Sequence, residues 1–97
     1  MTLESKSKFS VNEATVAAAG TAVQLPDFAV AESCELIIKA KRTNKGSIKI
    51  GESQAQAQAG KFTLEPGEAV KLRIGNANKA FIDAEIGGDK VELIVEQ

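Results

Sequence analysis

From residue 34 onward, apolar and polar positions alternate in short runs broken by glycine, proline and asparagine. Cys34, Leu36, Ile38 and Ala40 fall on one face and Glu35, Ile37, Lys39 and Lys41 on the other, the period of two of a half-buried strand. Thr43-Asn44-Lys45-Gly46 reads as a type I turn with glycine last. Ser47-Ile48-Lys49-Ile50 then returns with Ile48 and Ile50 inward, completing a hairpin. Phe62 and Leu64 share a face before Glu65-Pro66-Gly67-Glu68. In that segment proline sets the first central φ and glycine supplies the positive second one, the signature of a type II turn. Val70, Leu72 and Ile74 alternate with Lys71 and Arg73, and Ile82, Ala84 and Ile86 with Phe81, Asp83 and Glu85. Gly87-Gly88-Asp89 reads as a tight hairpin loop, and Val91, Leu93 and Val95 close the chain against Glu92 and Glu96.

The first third is patterned less sharply. Thr21-Ala22-Val23-Gln24-Leu25 reads as a strand ended by Pro26. Residues 12–19 fit either a short helix between Asn12 and Gly20 or a strand through Ala14, Val16 and Ala18. The strand is favoured, because so short a helix is marginal without strong packing. The run Ser53-Gln54-Ala55-Gln56-Ala57-Gln58-Ala59-Gly60 alternates but is weakly apolar; it reads as a loop or edge segment, with one helical turn as the alternative. The sum is an all-β, single-domain β-sandwich of jelly-roll type spanning residues 1–97, with about seven to eight short antiparallel strands. Residues 1–10 are expected to form an N-terminal arm, flexible or partner-binding.

Composition narrows the function. Twelve basic residues against thirteen acidic ones give a net charge of −1, which argues against a nucleic-acid binder. No signal peptide is expected at the N-terminus, and no apolar stretch approaches the ~18 residues of a membrane span. Without histidine the commonest general base and metal ligand are missing. The single cysteine, Cys34, has no partner for an internal disulfide, which suits synthesis in a reducing compartment, and it reads as a small core hydrophobe. Asp83, Glu85, Asp89, Glu92 and Glu96 gather carboxylates around Lys90, but their spacing matches no calcium loop and reads as a solvated strand face. Asp83 and Glu85 share a face as a glycosidase pair would, yet the chain has no Trp or Tyr to form a sugar platform. Gly87-Gly88 lacks the context of a phosphate loop. No enzyme, cofactor or metal site is expected.

Two surface features remain. Lys39, Lys41, Arg42, Lys45 and Lys49 place five positive charges on one expected hairpin, either as a solvated edge protected by lysine or as a contact for an acidic partner. The acidic C-terminal hairpin of a neighbouring copy is one such partner, with the outward-facing Ile37, Phe81 and Ile94 supplying apolar contact.

The ordered segments carry a resemblance. Gly20-Thr21-Ala22-Val23-Gln24-Leu25-Pro26, Cys34-Glu35-Leu36-Ile37-Ile38-Lys39-Ala40 and Gly46-Ser47-Ile48-Lys49-Ile50-Gly51 are followed by Phe62-Thr63-Leu64-Glu65-Pro66-Gly67-Glu68 and Asn78-Lys79-Ala80-Phe81-Ile82-Asp83-Ala84. Over about residues 14–95 this series resembles small β-rich domains of tailed-bacteriophage and prophage virion proteins. The basic hairpin and the Gln-Ala run at 54–59 depart from that pattern. The resemblance implies a non-enzymatic structural protein made in the bacterial cytoplasm and carried on the virion, as a capsid decoration, head-fibre or tail accessory protein. Its implied partners are other copies of itself, a trimer included, and a phage capsid or tail protein, with no nucleic acid and no membrane. The alternative is a glycan- or host-surface-binding adhesin domain, and a bacterial enzyme subunit or regulatory module ranks third.

Overall fold

The computed structural model describes residues 9–96, so the expected arm falls mostly outside it, and Phe9 and Ser10 begin the first strand. Eight strands follow in order: β1 (Phe9–Thr15), β2 (Val23–Gln24), β3 (Leu36–Ala40), β4 (Ile48–Gly51), β5 (Thr63–Leu64), β6 (Ala69–Leu72), β7 (Phe81–Ala84) and β8 (Lys90–Glu96). A helix, α1 (Gln54–Ala59), joins β4 to β5, and a 3₁₀ turn at Ala77–Lys79 precedes β7. Two four-stranded antiparallel sheets result, sheet A in the order β1-β8-β3-β6 and sheet B in the order β2-β7-β4-β5. The pairs 1–8, 2–7, 3–6 and 4–5 are those of one long antiparallel ribbon rolled on itself. This is the jelly roll.

Rolling the ribbon sends every connection except β4–β5 from one sheet to the other. Two expected hairpins are therefore corners. β3 and β4 lie in different sheets, as do β7 and β8. The turn after β3 closes at Lys41–Asn44, where the Asn44 N–H donates to the Lys41 carbonyl at 2.9 Å, two residues earlier than expected. The turn at Glu65–Glu68 has the expected form, with Gly67 at φ 90° and the Glu68 N–H donating to the Glu65 carbonyl at 2.9 Å. It too joins the two sheets. Residues 12–15 are strand, as favoured, but the strand stops at Thr15, and 18–20 form a bend and turn.

The core lies between the sheets. Leu36, Ile38, Ala40, Val91, Leu93 and Val95 face inward from sheet A; Ile48, Leu64, Ile82 and Ala84 meet them from sheet B. The alternation read from the sequence identifies these residues correctly. It fails for Phe62 and Ile86, which lie just outside β5 and β7 and are exposed rather than inward.

The Gln-Ala run is the helix α1. Ser53 caps it by accepting from the Gln56 N–H, and Gly60 ends it in the left-handed region at φ 66°. Ala57 is buried against the outer face of sheet B, so close that a Cβ on Gly51 would stand 2.4 Å from the Ala57 nitrogen. Gln58 and Gln54 donate to the carbonyls of Gly20 and Ala22, tying α1 to the loop before β2. Sheet B is thus covered on both faces.

The corners are held by side chains accepting from backbone. Buried Asp89 accepts from the N–H groups of Lys45 (3.0 Å) and Gly46 (2.9 Å), while Asn44 exchanges two hydrogen bonds with the backbone of Lys90. The β3–β4 corner is thereby locked to the β7–β8 corner. Replacing Asp89 with Ala strands two N–H groups that a charged acceptor holds, and should lower stability by about 2–4 kcal/mol in urea unfolding. Asp89→Asn, which keeps an acceptor, should cost less. Gly51→Ala should also destabilise, by about 1–3 kcal/mol, because the obstacle is helix backbone and not a flexible side chain.

Candidate interaction surface

The five C-terminal carboxylates do not make one solvated face. Asp83 is fully buried: one oxygen accepts from the N–H groups of Gly20 (3.0 Å) and Ala84 (2.8 Å), and Oδ2 has no hydrogen-bond partner. It does point away from the sandwich core, as its alternation predicts, but α1 and the Gly20 loop cover that side. Asp89 holds the corner described above. Glu85 is exposed, yet its carboxylate accepts from the Ser47 N–H at 2.8 Å, and this bond holds it below the usual carboxylate range. Asp83 and Glu85 thus each accept from backbone N–H groups that tie loops and corners together. Among the described residues no group of three or more His, Cys, Asp and Glu is arranged to hold a metal ion.

The basic cluster divides as well. Lys49 lies on the outer side of sheet B opposite Asp83, with its stem against Gly60. Arg42 and Lys45 sit on the corner after β3. Lys39 and Lys41 project from the outer face of sheet A, and there they meet acids of the same molecule. Lys39 is directly opposite Glu92, and their charged groups are 3.8 Å apart. Lys41 reaches Glu13 at 2.5 Å and Glu92 at 3.9 Å, and Lys90 reaches Glu13 at 3.5 Å. Hydrogen bonding from Lys41, helped by Lys90, holds the Glu13 carboxyl below its ordinary range; Glu13 in turn raises the Lys41 ammonium. The expected pair of opposed patches is therefore a local network on one face.

Beside that network the same face is apolar. The register places Val11 opposite Ile94, Ile94 opposite Ile37 and Ile37 opposite Lys71, one straight row across all four strands. Phe9 adds to it at the end of β1. Phe9 and Val11 are each 65% exposed and Ile94 is 36% exposed, while Ile37 is half-buried. Of the three apolar residues expected at an interface, Ile37 and Ile94 come together. Phe81 does not; it belongs to sheet B and lines a separate open groove of about 620 Å³ with Ile50, Leu72 and Ile74. Cys34 is half-buried and packs against the core, at a shallow depression beside Ile37 and Ile94.

No protein-family model, curated protein or solved structure matches this chain. The surface has to be read from its own residues. The sequence pattern does not mark Phe9, which falls in the segment 1–10 read as an arm, or Val11, which falls between that arm and the segment 12–19, although Phe9 and Val11 already alternate with Ser10 and Asn12.

Glu13 and Glu85 both have lowered pKa values in the folded chain, against an ordinary 4.5. Above that value the stabilisation they contribute is complete; as pH falls through the lowered values they take up protons and it is lost. Urea midpoints should hold between pH 7 and about 5 and drop below about 4.5. Glu13→Gln and Glu85→Gln should each make that acid drop shallower. An unchanged acid drop in both variants would show that these two carboxylates do not cause it.

Proposed function

We propose that this domain is a non-enzymatic structural component of a tailed-bacteriophage particle, a capsid decoration, head-fibre or tail accessory protein that works by association through the outer face of sheet A. The observation that carries the reading is the exposed row of Phe9, Val11, Ile94 and Ile37 beside a network of charged pairs. Contiguous apolar surface rimmed by charge is the usual composition of a protein contact. The serial resemblance of residues 14–95 to virion domains supplies the setting. Both features suit a lattice, where many weak contacts add through effective concentration.

Co-sedimentation with capsids and with tails of the encoding phage or prophage tests this. The protein should pellet with one of them, and Ile94→Lys should release it without unfolding it. Failure to bind either particle, together with binding to host cells or glycans, would overturn the reading in favour of an adhesin.

A further inference from the structure

We infer that the partner of this face is a second copy of the chain, packed sheet A against sheet A about a two-fold axis that runs along the strands between β8 and β3. The inference rests on the reading of sheet A as a contact surface and names its occupant.

The face is self-complementary in that one arrangement. Its β1/β8 half carries the acids Glu13 and Glu92, with Lys90; its β3/β6 half carries Lys39, Lys41, Lys71 and Arg73, with Glu35. A two-fold axis along the strands keeps each cross-strand row at its own height and exchanges the halves, so β8 lies over the partner copy's β3 and β1 over its β6. Ile94 then meets Ile37, and Glu92 meets Lys39. The aliphatic stem of Lys71 covers Val11. The Arg73 guanidinium, 82% exposed, comes within reach of the Phe9 ring. Lys90 and Lys41 also fall opposite one another, but each is already held by Glu13 of its own copy. An axis across the strands fares worse. Placed between the apolar row and the charged row, it lays Ile94 and Val11 over Glu92 and Glu13; placed through the apolar row, it sets Lys71 on the partner copy's Lys71 and Glu13 over its Phe9.

Size predicts the strength. Strands about 4.8 Å apart, with β1 and β8 about 24 Å long and β3 and β6 shorter at about 17 and 14 Å, give a footprint near 400 Å², well under the roughly 800 Å² a side of a standard stable interface. The dimer should be weak and concentration-dependent, with charge setting register more than affinity.

Sedimentation equilibrium of the full chain, loaded from about 10 µM to about 1 mM, should show a monomer–dimer equilibrium that weakens in high salt. Ile94→Lys should weaken it at least about tenfold, and Val11→Lys, at a far more exposed position, repeats the test if the first variant folds poorly. Charge reversal tests the axis. Lys39→Glu and Glu92→Lys should each be monomeric alone, since each opposes like charges across the axis, yet an equimolar mixture should associate. A control pair, Lys61→Glu with Glu52→Lys, should show no such selectivity. A monomer at every concentration overturns the inference, as does a dimer indifferent to Ile94→Lys and Val11→Lys or a mixture that stays monomeric. If the chain is monomeric but Ile94→Lys still releases it from particles, the second copy is wrong and the particle contact stands.

Discussion

A jelly roll has to turn corners. Wherever a strand leaves one sheet for the other, the ladder that paired its backbone stops, and the N–H groups at the bend need an acceptor from elsewhere. Here the acceptors are short polar side chains. Asp89 receives Lys45 and Gly46, and Asn44 clasps Lys90, so two corners distant in sequence are fastened face to face. Glu85 receives Ser47 beside them. Near Asp27 the same device recurs: the Asn76 oxygen accepts from Phe28 and Asn78, and its amide donates to Asp27. With no disulfide and no aromatic residue among the fully buried side chains, these clasps hold the two sheets in their rolled order.

That requirement reshapes the electrostatics. A count of formal charges places five acids near the C-terminus, but Asp83, Asp89 and Glu85 direct their carboxylates at backbone donors of loops and corners, so they are not part of the outer face of sheet A, where Glu92 stands. The remaining acids of β1 and β8 sit beside the lysines of β3 because the roll makes β8 the neighbour of both β1 and β3. Surface ion pairs of this kind contribute little stability each, typically ~0–1 kcal/mol. Their consequence is geometric: they gather Glu13, Glu92, Lys39 and Lys41 beside the apolar row of Val11, Ile94 and Ile37, which ends at Lys71 on β6.

The legible and illegible parts of this fold divide along a physical line. Period-two alternation reports which side of a strand a residue occupies, so Leu36, Ile38, Val91 and Leu93 were readable as core, and Pro66-Gly67 as a turn. It does not report which sheet a strand joins, because a tight turn serves a hairpin and a corner equally well. Hence Thr43–Gly46 and Gly87–Asp89 read as hairpin loops. Asp83 shows the same limit: its side of the strand was readable, but its burial depends on α1, a tertiary neighbour. α1 itself was partly signalled. Ser53 and Gly60 stand at N-cap and C-cap positions around alanine and glutamine, good helix formers, and those propensities outweighed a weak alternation. The apolar row of sheet A was half visible, Ile37 and Ile94 being placed outward correctly and joined in one row only by the register of β8 between β1 and β3.

The two sheets are not treated alike, and this asymmetry bears on function. Sheet B carries α1 on its outer side, with Gly51 reduced to a bare backbone so that the helix can approach. Among the described residues no helix or strand covers the outer face of sheet A. Strand propensity accounts for any single exposed valine or isoleucine, since β-branched residues suit a pleated surface even in water. It does not account for their alignment. Val11, Ile94 and Ile37 come from three strands separated by up to 83 positions in the chain, and they fall in a single row with Phe9 beside it. Solubility alone would favour interrupting such a row with charge, as the adjoining row of Glu13, Glu92 and Lys39 does. An uninterrupted apolar row next to a mixed-charge one supplies adhesion from the first and orientation from the second, which is the division of labour an associating surface requires.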